Sequence, residues 1–145
     1  EDSDTVAILA GAGLADRATI MAVHGKCLNA HPALLPGIRG VDVLEWAIVK
    51  GKPLGVSAHL VTTSVDAGDI LKTCELTPQL GETFEEFAAR VVDLQADVLA
   101  DAALEYASGE AKPWPHDLSK SELCFVAPRS IKNQARTIFE QLVDR

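Results

Sequence analysis

Short apolar runs and helically spaced apolar positions alternate along the chain. Thr5-Val-Ala-Ile-Leu-Ala10 is a continuous apolar run that ends in Gly11-Ala12-Gly13, the pattern of a buried parallel strand closing into a tight turn. Asp16 to Val23 has helical character, Gly25 breaks it, and a second apolar run, Cys27-Leu28-Asn29-Ala30, completes a strand, helix, strand unit. His31-Pro-Ala-Leu-Leu-Pro-Gly-Ile-Arg-Gly40 carries two prolines and two glycines, which exclude regular helix and predict a shaped loop. Asp42 is placed to cap a helix through Leu44, Trp46, Ala47 and Ile48 to Lys50, with Gly51 as its stop.

Leu54 to Thr62 reads as a strand, with Val56, Ala58 and Leu60 on one face and Ser57, His59 and Val61 on the other. Turn-forming residues follow from Thr63 to Asp69, then a further strand from Ile70 to Thr77. Thr83 and Glu86 form a capping box that opens the longest helix. Its Phe84, Phe87, Val91, Leu94, Val98 and Ala102 recur at helical spacing, one face for packing on a sheet, and Gly109 ends it. Pro113-Trp-Pro-His116 is a stiff connector, and Leu118 to Val126 holds a short edge strand. Ser130 caps a final helix whose Ile131, Ile138, Phe139 and Leu142 need a surface, either on the domain or on a partner.

With 145 residues and 48% hydrophobic content, the chain has the size of one domain with its own core. Twenty-one acidic against thirteen basic residues give a formal net charge of -8, a field that repels a polyphosphate backbone and argues against nucleic acid as partner. The acidic residues between Glu82 and Glu110 fall on a helix and read as its solvated face. Cys27, Cys74 and Cys124 are odd in number and widely spaced, fitting no disulfide framework or metal pattern and indicating a reducing, cytoplasmic setting. No apolar run reaches membrane-spanning length, and the acidic start Glu1-Asp2-Ser3-Asp4 lacks the basic segment of a secretory signal.

Asn29-Ala-His31-Pro places an amide and an imidazole two residues apart at the end of a parallel strand, pointing the same way. Open α/β sheets bind ligands at the carboxyl ends of such strands. His59 has two readings, a ligand or a half-buried strand residue held by local hydrogen bonds. His24, His31, His59 and Asp66 show no metal-ligand spacing, so no metal is expected. Cys27 lies within an apolar strand that disfavours a nucleophilic thiolate.

The continuation Leu34-Leu-Pro-Gly-Ile-Arg-Gly40 and the downstream Val65-Asp-Ala-Gly-Asp-Ile70 add specificity. Together with Asn29-x-His31-Pro, they resemble the motifs of the folate-dependent formyltransferases, with Ala33 in place of the usual Ser. The likeness extends over Gly55-Val-Ser-Ala-His-Leu-Val61 and the helix beyond it, and more loosely over Lys112-Pro-Trp-Pro-His116, which is similar to a segment of sugar-amine members. It implies an α/β fold: part of a doubly wound, Rossmann-like sheet, mostly parallel with later antiparallel strands, and helices on both faces. The implied catalytic triad is Asn29, His31 and Asp66, transferring formyl from 10-formyltetrahydrofolate to the amine of a small molecule, such as an amino sugar. Asn29 and a protonated His31 would supply donors to the oxyanion, and Asp66 would keep His31 charged or relay a proton. Thr63, Ser64 and Val65, through their backbone, and Leu35, as an apolar contact, are the implied folate-binding residues.

The resemblance divides the chain into a catalytic core, residues 1–112, and a connector with C-terminal helix, residues 113–145. Its first half, a further strand and helix series, has no counterpart ahead of Thr5, so this chain corresponds to the C-terminal part of the family's catalytic domain. A fragment, a natural half completed by another chain and an inactive member all fit. An unpaired sheet edge at Thr5 to Ala10 is expected to favour a homo-oligomer or a completing partner. Two other activities share the motifs: a formyltetrahydrofolate hydrolase, with water as acceptor, and a non-catalytic folate-binding or interaction module.

Overall fold

The computed structural model describes residues 5–10, 15–24 and 26–144. The acidic start at Glu1 to Asp4, the turn expected at Gly11-Ala12-Gly13 and the break at Gly25 lie outside these residues. The first apolar run forms strand β1 (Ala7–Leu9), and helix α1 (Arg17–Ala22) follows, the Asp16 carboxylate accepting from the Thr19 N–H at 2.7 Å. Strand β2 (Cys27–His31) lies parallel to β1, with Leu9 opposite Asn29. After the proline-rich loop come β3 (Ile38–Gly40), α2 (Val43–Val49), β4 (Gly55–Leu60) and β5 (Ile70–Glu75). Helix α3 (Phe84–Ala107) is longest; β6 (Glu122–Cys124) and α4 (Arg129–Val143) close the chain.

The main sheet has the order β1-β2-β4-β5, with β1 at one edge. Its β1–β2 pairing is parallel and its β2–β4 and β4–β5 pairings are antiparallel, so the sheet is mixed, its later strands antiparallel as expected. The physical reason is the short connection from β4 to β5, which permits a hairpin-like return and no crossover. A second parallel pair, β3–β6, was unforeseen for residues 38–40 and lies within the loop region.

Alternation along β2 and β4 separates core from chemistry. Leu28, Ala30, Val56 and Ala58 are buried together with Phe87, Val91, Val98 and Ala102 of α3. Asn29, His31, Ser57 and His59 therefore share the opposite face, since Asn29 pairs with His59 and His31 with Ser57. The α3 capping box is formed, with the Glu86 N–H donating to Thr83 Oγ1 at 3.2 Å and the Thr83 N–H to Glu86 Oε2 at 2.8 Å.

Two caps differ from expectation. Asp42 has a left-handed backbone at the start of α2, and its carboxylate accepts instead from the Ala127 N–H at 2.9 Å and pairs with Lys132 at 3.0 Å. Ser130 lies inside α4, which starts after Pro128. Helix α4 docks on the domain through Ala135, Phe139 and Val143, Phe139 meeting Phe84 and Phe87 at ring distances of 5.8 and 5.2 Å, while Leu142 stays exposed. No helix among the described residues is long and apolar enough to cross a membrane.

Candidate active site

The carboxyl end of β2, the start of α2 and the 61–66 segment enclose a cleft of about 740 Å³. Asn29, His31, His59, Thr63, Ser64, Val65 and Asp66 line it. Leu35 does not: it is buried beneath the loop, and its N–H donates to Ser57 Oγ at 2.9 Å. Ser57 Oγ in turn donates to the Ala33 carbonyl at 2.8 Å, so one buried hydroxyl pins the loop that follows His31.

Asp66 stands at the centre. Its backbone is left-handed, φ 45°, a conformation Asp tolerates better than most residues. Its Oδ2 accepts from the Gly40 N–H at 3.1 Å and faces His31 Nδ1 at 3.4 Å, while Oδ1 faces His59 Nε2 at 3.4 Å. Gly68 lets the segment pass, because a Cβ there would collide with the Leu60 carbonyl. Gly40 has φ 108°, and a Cβ on it would strike the Cys124 carbonyl. Arg39 Nη1 donates to the Val65 carbonyl at 3.1 Å and holds the same segment from the loop side.

The main-chain partners fix where the imidazole protons reside. His31 Nε2 is 3.0 Å from the Ile38 carbonyl and His59 Nδ1 is 2.9 Å from the Leu60 carbonyl, and a carbonyl only accepts. In the neutral rings these nitrogens carry the protons, and the other nitrogen of each ring faces the Asp66 carboxylate. The two imidazoles and the carboxylate thus form one cluster, in which a proton on either facing nitrogen is held by Asp66.

Burial pushes the His31 value below 6.5, outweighing the opposing pull of Asp66. Burial thus works against the charged form of His31 that Asp66 favours. Burial alone would raise the Asp66 carboxyl, but hydrogen bonding to His59, the positive potential of both imidazoles and the Gly40 N–H together hold it below 3.8. Asn29 is half-buried in the cleft, and no described residue engages its side chain by a hydrogen bond.

His59, for which the sequence left two readings open, is buried and faces Asp66. Its signal was the shared face with Ser57, which becomes informative only with the Asn29–His59 register. Among the described residues, no three or more His, Cys, Asp or Glu side chains are arranged to hold a metal ion. Burial raises the Cys27 thiol, which keeps it protonated.

Residues 4–103 match the family model described as formyl transferase. Methionyl-tRNA formyltransferase of Synechococcus sp. (strain JA-2-3B'a(2-13)) is 34% identical over 96 residues, covering 66% of this chain and 30% of the relative. That of Myxococcus xanthus is 34% identical over 117 residues, 80% of this chain and 36% of the relative. The chain spans about a third of the length of these curated relatives. Among solved structures, glycinamide ribonucleotide transformylase 1 from Symbiobacterium toebii superposes with a TM-score of 0.64 at 28% identity, over 72% of this chain and 50% of that one. The formyltransferase PseJ from Anoxybacillus kamchatkensis, solved with tetrahydrofolate and a formamido sugar nucleotide, reaches a TM-score of 0.75 over 92% of this chain and 73% of that one. At 14% identity that likeness is one of fold.

Proposed function

The chain belongs to the formyl transferase family, and from that premise we propose that it forms the C-terminal part of a catalytic domain that moves a formyl group from 10-formyltetrahydrofolate to the amine of a small molecule. The observation that carries this reading is the convergence of two imidazole nitrogens on the Asp66 carboxylate beside Asn29. An amine attacking the formyl carbon creates a tetrahedral oxyanion and must lose a proton. Asn29, with its amide unengaged, donates to that oxygen, a contact worth roughly 3 kcal/mol of barrier. His31 Nε2 is engaged by the Ile38 carbonyl and its Nδ1 faces Asp66, so His31 serves with Asp66 and His59 to take up the amine proton and hold it within the cluster. Thr63, Ser64 and Val65 present backbone to the donor along the cleft wall. Leu35 acts from beneath, by shaping the loop through Ser57.

Asp42, Glu45 and Asp66 line the cleft, and among the described residues no Lys or Arg does, which supports a small acceptor such as an amino sugar over a polyanion. The curated relatives are named for methionyl-tRNA, so acceptor choice is the decisive measurement. Residues 1–112 are assigned the catalytic core and 113–145 the connector and closing helix. The free cysteines support a reducing, cytoplasmic setting. The β1 edge, where Ile8 is 48% exposed, supports pairing with a further strand, as in a homo-oligomer.

The test is an assay of the full protein with formyltetrahydrofolate and either amino sugars or methionyl-tRNA. Formylated small amine is the expected product. Formate release without any amine would establish the hydrolase instead, and donor binding without turnover would establish a binding module.

A further inference from the structure

His116 stands outside the segment matched by the family model, on the connector that follows α3. The connector is tied to the sheet just before it, since the Trp114 N–H donates to the Ile70 carbonyl and the Ile70 N–H to the Trp114 carbonyl, both at 2.9 Å. Ile70 lies four residues beyond Asp66 on the same strand entry. The His116 ring is half-buried with both nitrogens withdrawn from solvent. They face the backbone of Gly68 and Pro36 without the alignment of a full hydrogen bond. The ring thus sits between the Asp66 segment and the loop that follows His31.

We propose that His116 is a positioning residue for the reaction centre: a polar wedge between Gly68 and Pro36 that keeps the Asp66 carboxylate directed at His31 and His59. The 65–68 segment is held at Val65 by Arg39 and at Asp66 by Gly40, and the Gly68 end has His116 against it. The ring acts in its neutral form. Burial first, then the Arg39 guanidinium and His59, keep it below 6.5, and His31 also feels it. A charge there would sit beside Arg39 in a poorly solvated position, so a neutral amide of similar reach is the natural substitute.

The proposal rests on reading Asp66 as part of the reaction centre, and one readout is chosen to be independent of turnover. In the full protein, His116→Ala should lower kcat about tenfold to a hundredfold, the scale of a misplacement near 1 Å, with KM for the formyl donor little changed. Amide exchange of Gly40, whose N–H reports the Asp66 contact, should accelerate in the same variant. His116→Gln should restore both. Unchanged Gly40 exchange in His116→Ala would overturn the proposal, whether or not the protein transfers formyl. Equal impairment of the Ala and Gln variants with a matching fall in melting temperature would also overturn it, by reducing His116 to a packing residue. If the wild type shows no transfer while Gly40 exchange responds as expected, the positioning role stands and only the catalytic reading fails.

Discussion

Asn29 and His31 differ in what their removal should do. Asn29→Ala deletes the proposed oxyanion donor and leaves His31, His59 and Asp66 in place, so kcat should fall about 10²-fold to 10³-fold while donor affinity survives, as steady-state kinetics with a binding titration would reveal. His31→Ala also frees the Ile38 carbonyl and one face of Asp66, so it should lose turnover and some stability together. Stability should depend on pH in a defined direction. Below 6.5 the unfolded His31 gains a proton that the folded ring resists, so the unfolded chain binds more protons and stability rises with pH through that window. The Asp66 contribution is complete above 3.8 and is lost as pH falls through the lower folded value. Urea titrations at stepped pH should show a flatter profile below 6.5 in His31→Gln; an identical slope would mean that another group sets it. Asn29, His31 and Asp66 were legible as candidates because their motifs are local. His59 was legible only as half of an alternating strand, because its meaning depends on which residue of β2 it opposes.

Elements with strong local signals lie where the pattern put them: the capping box marks the start of α3, and its apolar spacing marks the face on the sheet. Thr83→Ala should therefore cost about 1 kcal/mol in chemical denaturation, the value of a lost cap. Strand β3 was hidden in a loop rich in proline and glycine because its partner, β6, lies far along the chain. The Asp42 cap failed for a related reason, since its carboxylate is claimed by Ala127 and Lys132 of the distant tail. Gly68→Ala makes a sharper test of the 61–68 segment. The added Cβ meets the Leu60 carbonyl, so the segment must shift, and turnover should drop more than melting temperature does. A variant with full turnover would show that the segment relaxes without moving Asp66.

At the scale of the whole molecule, the closing helix contributes to the core through Ala135, Phe139 and Val143. Phe139 is fully buried against Phe84 and Phe87, and Phe139→Ala should cost about 3–5 kcal/mol, measured by denaturant unfolding. Light scattering should show association through the β1 edge; a strict monomer of the full protein would remove that expectation. Whether the final helix docks or reaches outward was open in the sequence, because an amphipathic face does not name its partner. The β3–β6 pairing also bears on the order of folding. It joins Ile38–Gly40 to Glu122–Cys124 across most of the chain, so the loop bearing the Asp66 contact at Gly40 closes only after a large loss of chain entropy. During refolding, β2 and β4 should gain exchange protection before Gly40 does, and on a ribosome the reaction centre should stay unassembled until residue 124 has emerged.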